Sequence, residues 1–313
     1  MTEKEPIFEK QPLNELVDSL DKYFGVKELD KDPAMSRFIP MVYDPLGYDW
    51  KSVFEPDFCE RFNGLMLKGA EQTGKAWCIV FPSNEVLTKI LKSAQEGDMI
   101  FSHHPVNMEC GDPRGAMGKG FLPIDLELLQ EMRTRKLSFY AVHAPLDSNT
   151  EVSTNDALVR LMDGEVIKQF DPYGLGFAGR VCRIPRTTTS VLAEKLRIAV
   201  GLPYVDLAGI KERDIELVGV IAGGGGSAED LKTAEEQGVD AVVTGEVSAK
   251  IIGSRGDKER AMLVEYLPTT KVSAIGLSHA GSEFVVMRDQ VVPFLKDRHH
   301  LDATSVPENN WWR

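Results

Sequence analysis

KAWCIVFPSNEVLTKILKSAQEGDMIFSHHP, residues 75–105, decides the fold. A run of apolar residues over 76–81 reads as a strand. A turn follows, then apolar positions at helical spacing over 85–95, then a second apolar run over 99–102. The second strand ends in two adjacent histidines, His103 and His104. The same order returns in IELVGVIAGGGGSAEDLKTAEEQGVDAVVTGEVSAK, residues 215–250. There a strand covers 217–222, glycines make the turn, a helix covers 228–237 and a strand covers 241–244. Placing Asp98 on Asp240 puts Ser83 on Gly225 without a gap, and His103-His104 on Gly245-Glu246. The chain therefore reads as a duplicated βαβ unit.

Short continuous apolar strands alternating with helices predict an α/β protein with a largely parallel sheet covered on both faces. Ligands of such sheets bind outside the carboxyl ends of the strands, where both His103-His104 and Gly245-Glu246 fall. LNELVDSLDKYFG, residues 13–25, has helical apolar spacing and stops at Gly25. Residues 26–60 carry Pro33, Pro40, Pro45 and Pro56 and predict an ordered connection built from short elements.

Bulk properties narrow the function. The 313 residues carry 36 basic and 48 acidic side chains, a formal net charge of −12. That balance argues against nucleic acid and against an anionic membrane surface as partner. No apolar run approaches the roughly 18 residues of a membrane span. Cys59, Cys78, Cys110 and Cys182 form no CxxC pair and read as free thiols of a reducing compartment. The N-terminal MTEKEPIFEK lacks the apolar core of a signal peptide, so a cytoplasmic location is expected.

Six histidines are present, and four of them end apolar strands. FYAVHAPLDSN, residues 139–149, runs into His143 and then Asp147. IGLSHAGSEF, residues 275–284, runs into His279, with Glu283 four residues on. A helix starting near Ser278 puts these two on one face, within reach of one ion. Imidazole and carboxylate donors suit zinc, iron, manganese, cobalt or nickel. Five or more such donors exceed what one tetrahedral ion uses, and two neighbouring ions use them better. In an extended segment His103 and His104 point to different sides of the chain, so each could serve a different ion, or one could stand behind the other.

Plainer readings exist for each residue. Asp147 also fits a turn or helix cap before STNDAL, and Glu246 also fits a surface carboxylate. The glycines 223–226 could cradle a phosphate, but no GK[ST] follows and acidic residues open the next helix, so they read as a tight turn. The thiols look too isolated for Cys–His catalysis, and no GxSxG occurs. His299-His300 lies in a polar stretch and reads as surface.

GDMIFSHHP, YAVHAPLD, STNDAL, VDAVVTGEVS and GLSHAGSE, in that order, resemble the GTP cyclohydrolase I type 2 homologues, also called NGG-interacting-factor-three-like or YbgI-like proteins. With the weaker NGLMLKG, the resemblance covers roughly residues 13 to 300. It implies two intertwined α/β repeats, 13–150 and 180–300, within one family unit spanning 1–313, the second repeat contributing to the same metal site. It implies homo-oligomeric rings, often hexamers, with two divalent ions per chain. Carried over by motif, the ligands are His103, His104, Asp147, His279 and Glu283, with His143 and Glu246 beside the metals. The family usually has Thr-Asn where this chain has Ala144-Pro145, and residues 26–60 are longer and richer in proline than expected.

The expected activity is a dinuclear metal-dependent hydrolase acting on a small molecule. A metal-bridging hydroxide would attack a carbonyl, amidine or nucleotide-like ring at a C–N bond, with His143 or Glu246 as general acid or base. The alternatives are a metal-dependent phosphoesterase and a non-catalytic protein that stores, delivers or senses metal.

Overall fold

The computed structural model describes residues 8–247 and 250–313, so most of the charged N-terminal stretch lies outside the described residues. The chain forms two compact units, each assembled from three separate stretches. The first takes residues 8–107, 123–146 and 287–308, the second 108–122, 147–286 and 309–313.

The first unit is built on a five-stranded sheet in the order Asp302–Ser305, Lys75–Ile79, Met99–Ser102, Ser138–Ala141, Gly64–Leu67. The first four strands run parallel and Gly64–Leu67 is antiparallel to its neighbour. Ile100, Phe101, Phe139 and Tyr140 are fully buried, as strands covered on both faces require. The helix Asn84–Leu91 begins at Ser83, whose Oγ accepts the Val86 N–H at 3.2 Å and donates to Glu308 Oε2 at 2.9 Å. Such a cap is worth about 1 kcal/mol. The proline-rich 26–60 segment is ordered as short helices, including Met35–Tyr43 and Trp50–Val53.

The second unit is built on a six-stranded sheet in the order Asp206–Gly209, Ser273–Gly276, Ala241–Thr244, Asp214–Ile221, Gly176–Thr188, Glu165–Tyr173. Its three central strands, Asp214–Ile221, Ala241–Thr244 and Ser273–Gly276, are parallel. Val242, Leu231 and Ala234 are fully buried in its core. The helix Ala228–Glu235 starts with a reciprocal cap between Ser227 and Asp230, which uses the acidic first turn noted above.

Each unit thus contains a parallel triple joined in chain order: Lys75–Ile79, Met99–Ser102 and Ser138–Ala141 in one, and Asp214–Ile221, Ala241–Thr244 and Ser273–Gly276 in the other. This is the α/β architecture of two βαβ-containing repeats with parallel and mixed sheets. In both, candidate site residues follow the second and third strands.

Candidate metal centre

In the first unit the backbone N–H groups of His103 and His104 donate to the Ile79 and Val80 carbonyls at 3.0 and 2.9 Å. Pairing with the neighbouring strand therefore outlasts the strand itself. The chain bends at His103, and the two rings meet with centroids 4.4 Å apart, inclined at 70°. An extended segment would point the two side chains to different sides, but alternation holds only while the backbone stays extended, and here it bends. His103 Nδ1 faces the Val142 carbonyl at 3.0 Å, a position that requires a proton on that nitrogen. The His104 ring stacks on Phe81 at 4.2 Å. His143 lies over His103, centroids 4.9 Å apart and planes inclined at 22°. One ring nitrogen from each of the three histidines lies within 4.8 Å of the others, and all three residues are buried.

A residue outside every motif stands behind His143. Asp32 is fully buried. Its Oδ1 accepts the backbone N–H of Ala34 at 2.9 Å and of Met35 at 2.7 Å. Its Oδ2 accepts from Asn63 Nδ2 at 3.1 Å and from the Ala144 N–H at 3.0 Å. His143 Nδ1 lies 3.2 and 3.1 Å from the two oxygens. Burial alone would raise the carboxyl pKa, but His143 and the backbone donors outweigh it and hold it far below the usual range. The available signal was local: an Asp-Pro pair just before a helix, a position where a carboxylate caps backbone N–H groups.

In the second unit Ser278 takes a left-handed φ of 61° and the helix His279–Val286 follows. His279 and Glu283 then lie one turn apart, as expected, with Nε2 and Oε1 at 3.2 Å. Glu246 Oε1 sits 3.2 Å from Nδ1, at the opposite edge of the same ring. Burial opposes a charge on His279, yet Glu283 above all, with Cys110 and Glu246, holds its pKa well above the ordinary value. A carboxylate oxygen of Asp147 lies within 4.8 Å of one on Glu283. Asp147 lies in the short helix Ala144–Ser148 rather than in a turn; its Oδ1 accepts from Thr154 Oγ1 at 2.9 Å and its carbonyl from Asn155 Nδ2 at 3.2 Å.

The backbone at Gly223 forms one wall of this group. Its φ is +68°, and a Cβ there would fall 2.2 Å from Glu283 Oε1 and 2.9 Å from His279 Nε2. Only a glycine lets the chain pass so close. The 223–226 stretch is thus a turn against the donors; Gly223 N–H donates to Ser282 Oγ at 2.9 Å.

The reading of isolated thiols needs correction at Cys110. Its sulfur, a Glu246 oxygen and a His279 ring nitrogen lie within 4.8 Å of one another. Distant stretches of sequence converge there, which spacing does not reveal. Burial, with the Glu246 carboxylate nearby, pushes the Cys110 thiol well above its usual pKa. The surface reading of His299 also needs adjustment: its ring packs edge-on against Phe294 at 5.1 Å, while His300 is exposed.

The donor chemistry fits divalent ions. One unit gathers three buried imidazoles. The other gathers a buried imidazole and two carboxylates close enough to repel each other, a grouping that a cation relieves. Among the described residues, His103, His104 and His143 in the first unit, and Asp147, His279 and Glu283 in the second, together with Cys110 and Glu246 beside His279, are able to hold metal.

An α/β protein of paired βαβ repeats with buried imidazole and carboxylate groups at its strand ends is the class these features define. The family model Duf34/NIF3 (NGG1p interacting factor 3) matches residues 61–300, and the chain belongs to that family. A relative from Archaeoglobus fulgidus named "GTP cyclohydrolase 1 type 2 homolog" is 31% identical over 189 residues, 59% of this chain and 69% of its own length. A Pyrococcus horikoshii protein of the same name is 29% identical over 194 residues, 59% of this chain and 70% of its own. Among solved structures, protein ybgI, described as of unknown function, superposes with a TM-score of 0.66 at 18% identity, covering 96% of this chain and 99% of its own. At that identity the likeness shows the fold alone. No helix among the described residues is long and apolar enough to cross a membrane.

Proposed function

We propose that the chain is a metal-dependent hydrolase of small molecules that opens a C–N bond in a cyclic amide, amidine or nucleotide-like ring. In this reading two divalent ions per chain are held by His103, His104, Asp147, His279 and Glu283. The observation that carries it is the gathering of buried imidazoles and carboxylates beyond the carboxyl ends of parallel strands in both units. The family resemblance supports this ligand set, and the relatives' shared name directs the substrate choice toward ring hydrolysis.

Bound divalent ions supply Lewis acidity, lowering the pKa of water and polarising the bond to be cleaved. The chain's own residues do the rest. Glu246 accepts from His279 Nδ1 and so orients that ring, the role a carboxylate plays behind a ligating histidine. This moves Glu246 from candidate base to positioning group. His143 is left as the acceptor of the proton from attacking water.

The test is turnover by chain loaded with zinc, manganese or iron, with GTP, cyclic amides and phosphate monoesters as probes and a chelator control. Ring opening that chelator abolishes is the expected result. Phosphate release alone would replace the proposal with a phosphoesterase. No turnover by metal-loaded chain would favour storage, delivery or sensing of metal.

A further inference from the structure

We infer that Asp32, supplied by the proline-rich segment that no motif covers, is the positioning residue of His143, holding its ring in the Nδ1–H tautomer so that Nε2 carries the lone pair. Five N–H donors converge on this one buried carboxylate: those of Ala34, Met35 and Ala144 from the backbone, Asn63 Nδ2, and His143 Nδ1. A group surrounded only by donors is an acceptor at every edge, so the proton between Asp32 and His143 belongs on the imidazole. The backbone is held by the same device. Asn63 Oδ1 accepts the His143 N–H at 2.7 Å while Asn63 Nδ2 donates to Asp32. Asp32 also takes the N–H of Ala144. Side chain and main chain of residue 143 are therefore clamped together, with the ring stacked on His103.

This inference rests on the hydrolytic reading only for its use. There, His143 Nε2 accepts a proton as water attacks. The new bond joins the water oxygen to the ring carbon, the C–N bond breaks, and the proton passes from Nε2 to the departing nitrogen. Water is consumed and no oxidant or reductant is needed. Asp32 touches none of the reacting atoms and acts through the ring it holds. A carboxylate behind a histidine fixes which nitrogen is basic, and losing it can leave the geometry intact while the wrong tautomer forms.

The test is a nitrogen-15 spectrum of the full chain labelled at histidine, metal-free at pH 8, with His143→Gln to identify the His143 signals. The expected wild-type ring has Nδ1 protonated and Nε2 unprotonated. Asp32→Asn is expected to move a large part of that population to the opposite tautomer, because an amide group cannot accept at both edges. A His143 ring protonated at Nε2 in the wild type overturns the inference, even if Asp32→Asn does not fold. A folded Asp32→Asn chain with an unchanged His143 tautomer also overturns it and leaves Asp32 as a structural cap. The readout needs neither substrate nor metal, so a chain that hydrolyses nothing would sink the functional proposal and leave this one standing.

Discussion

Glu283→Ala and His279→Ala will each leave the chain folded and weaken its divalent metal binding at least about a hundredfold, the upper end of what removing a mere supporting residue costs. That loss corresponds to roughly 3 kcal/mol or more of binding free energy. Glu283 is 3% exposed and its Oε1 is 3.2 Å from His279 Nε2, so the two groups present their donor atoms together. The Gly223 backbone closes one side of the pair. The fold survives because His279 keeps Glu246 as a partner when Glu283 is removed, and the strands beneath bury their own apolar side chains. Metal analysis after gel filtration, with thermal unfolding alongside, checks both halves. Full metal retention in the two variants would remove these residues from the ligand set.

Asp156→Ala will destabilise the second unit by roughly 3–5 kcal/mol, the cost of stranding a buried charge. Its partner Arg180 has no exposed surface. Arg180 Nε donates to Asp156 Oδ2 at 2.9 Å, and the remaining guanidinium nitrogens reach the Phe177 and Asn149 carbonyls, both at 2.7 Å. Removing the carboxylate leaves the cation with only neutral acceptors. The contact to Asn149 ties down the chain just after the helix Ala144–Ser148 that carries Asp147, so the damage extends toward a candidate ligand. Urea unfolding measures the effect. The double variant Asp156→Ala/Arg180→Met should recover much of the loss, because both charges are then gone. A single variant as stable as wild type would show that the pair is solvated after all.

Local pattern carried much of the fold. The strands expected over 99–102 and 241–244 have the bounds Met99–Ser102 and Ala241–Thr244. Helix ends were less legible. The helix expected to reach residue 95 stops at Leu91, because the Asp98 carboxylate accepts the Gln95 N–H at 3.0 Å and draws that backbone into a turn. Asp302–Ser305 pairs in parallel with Lys75–Ile79, a contact between residues far apart in the chain that periodicity cannot announce. The site divides the same way. His103, His104, His143, His279 and Glu283 were visible because strand ends and a helical i, i+4 step are local features. Cys110 was not, since it acquires its role only from what folds against it; at Asp32 the helix cap was a local feature, but the contact with His143 was not. Glu246 was visible as a residue, but its place at the Nδ1 edge of His279 required coordinates.

The most direct measurement is the metal content per chain of protein purified without added metal or chelator, with His104→Ala prepared in parallel. The expected result is close to two divalent ions per chain, falling in the variant. Near-zero metal in both, with no uptake of zinc, manganese or iron, would contradict it and make the strand-end histidines packing residues.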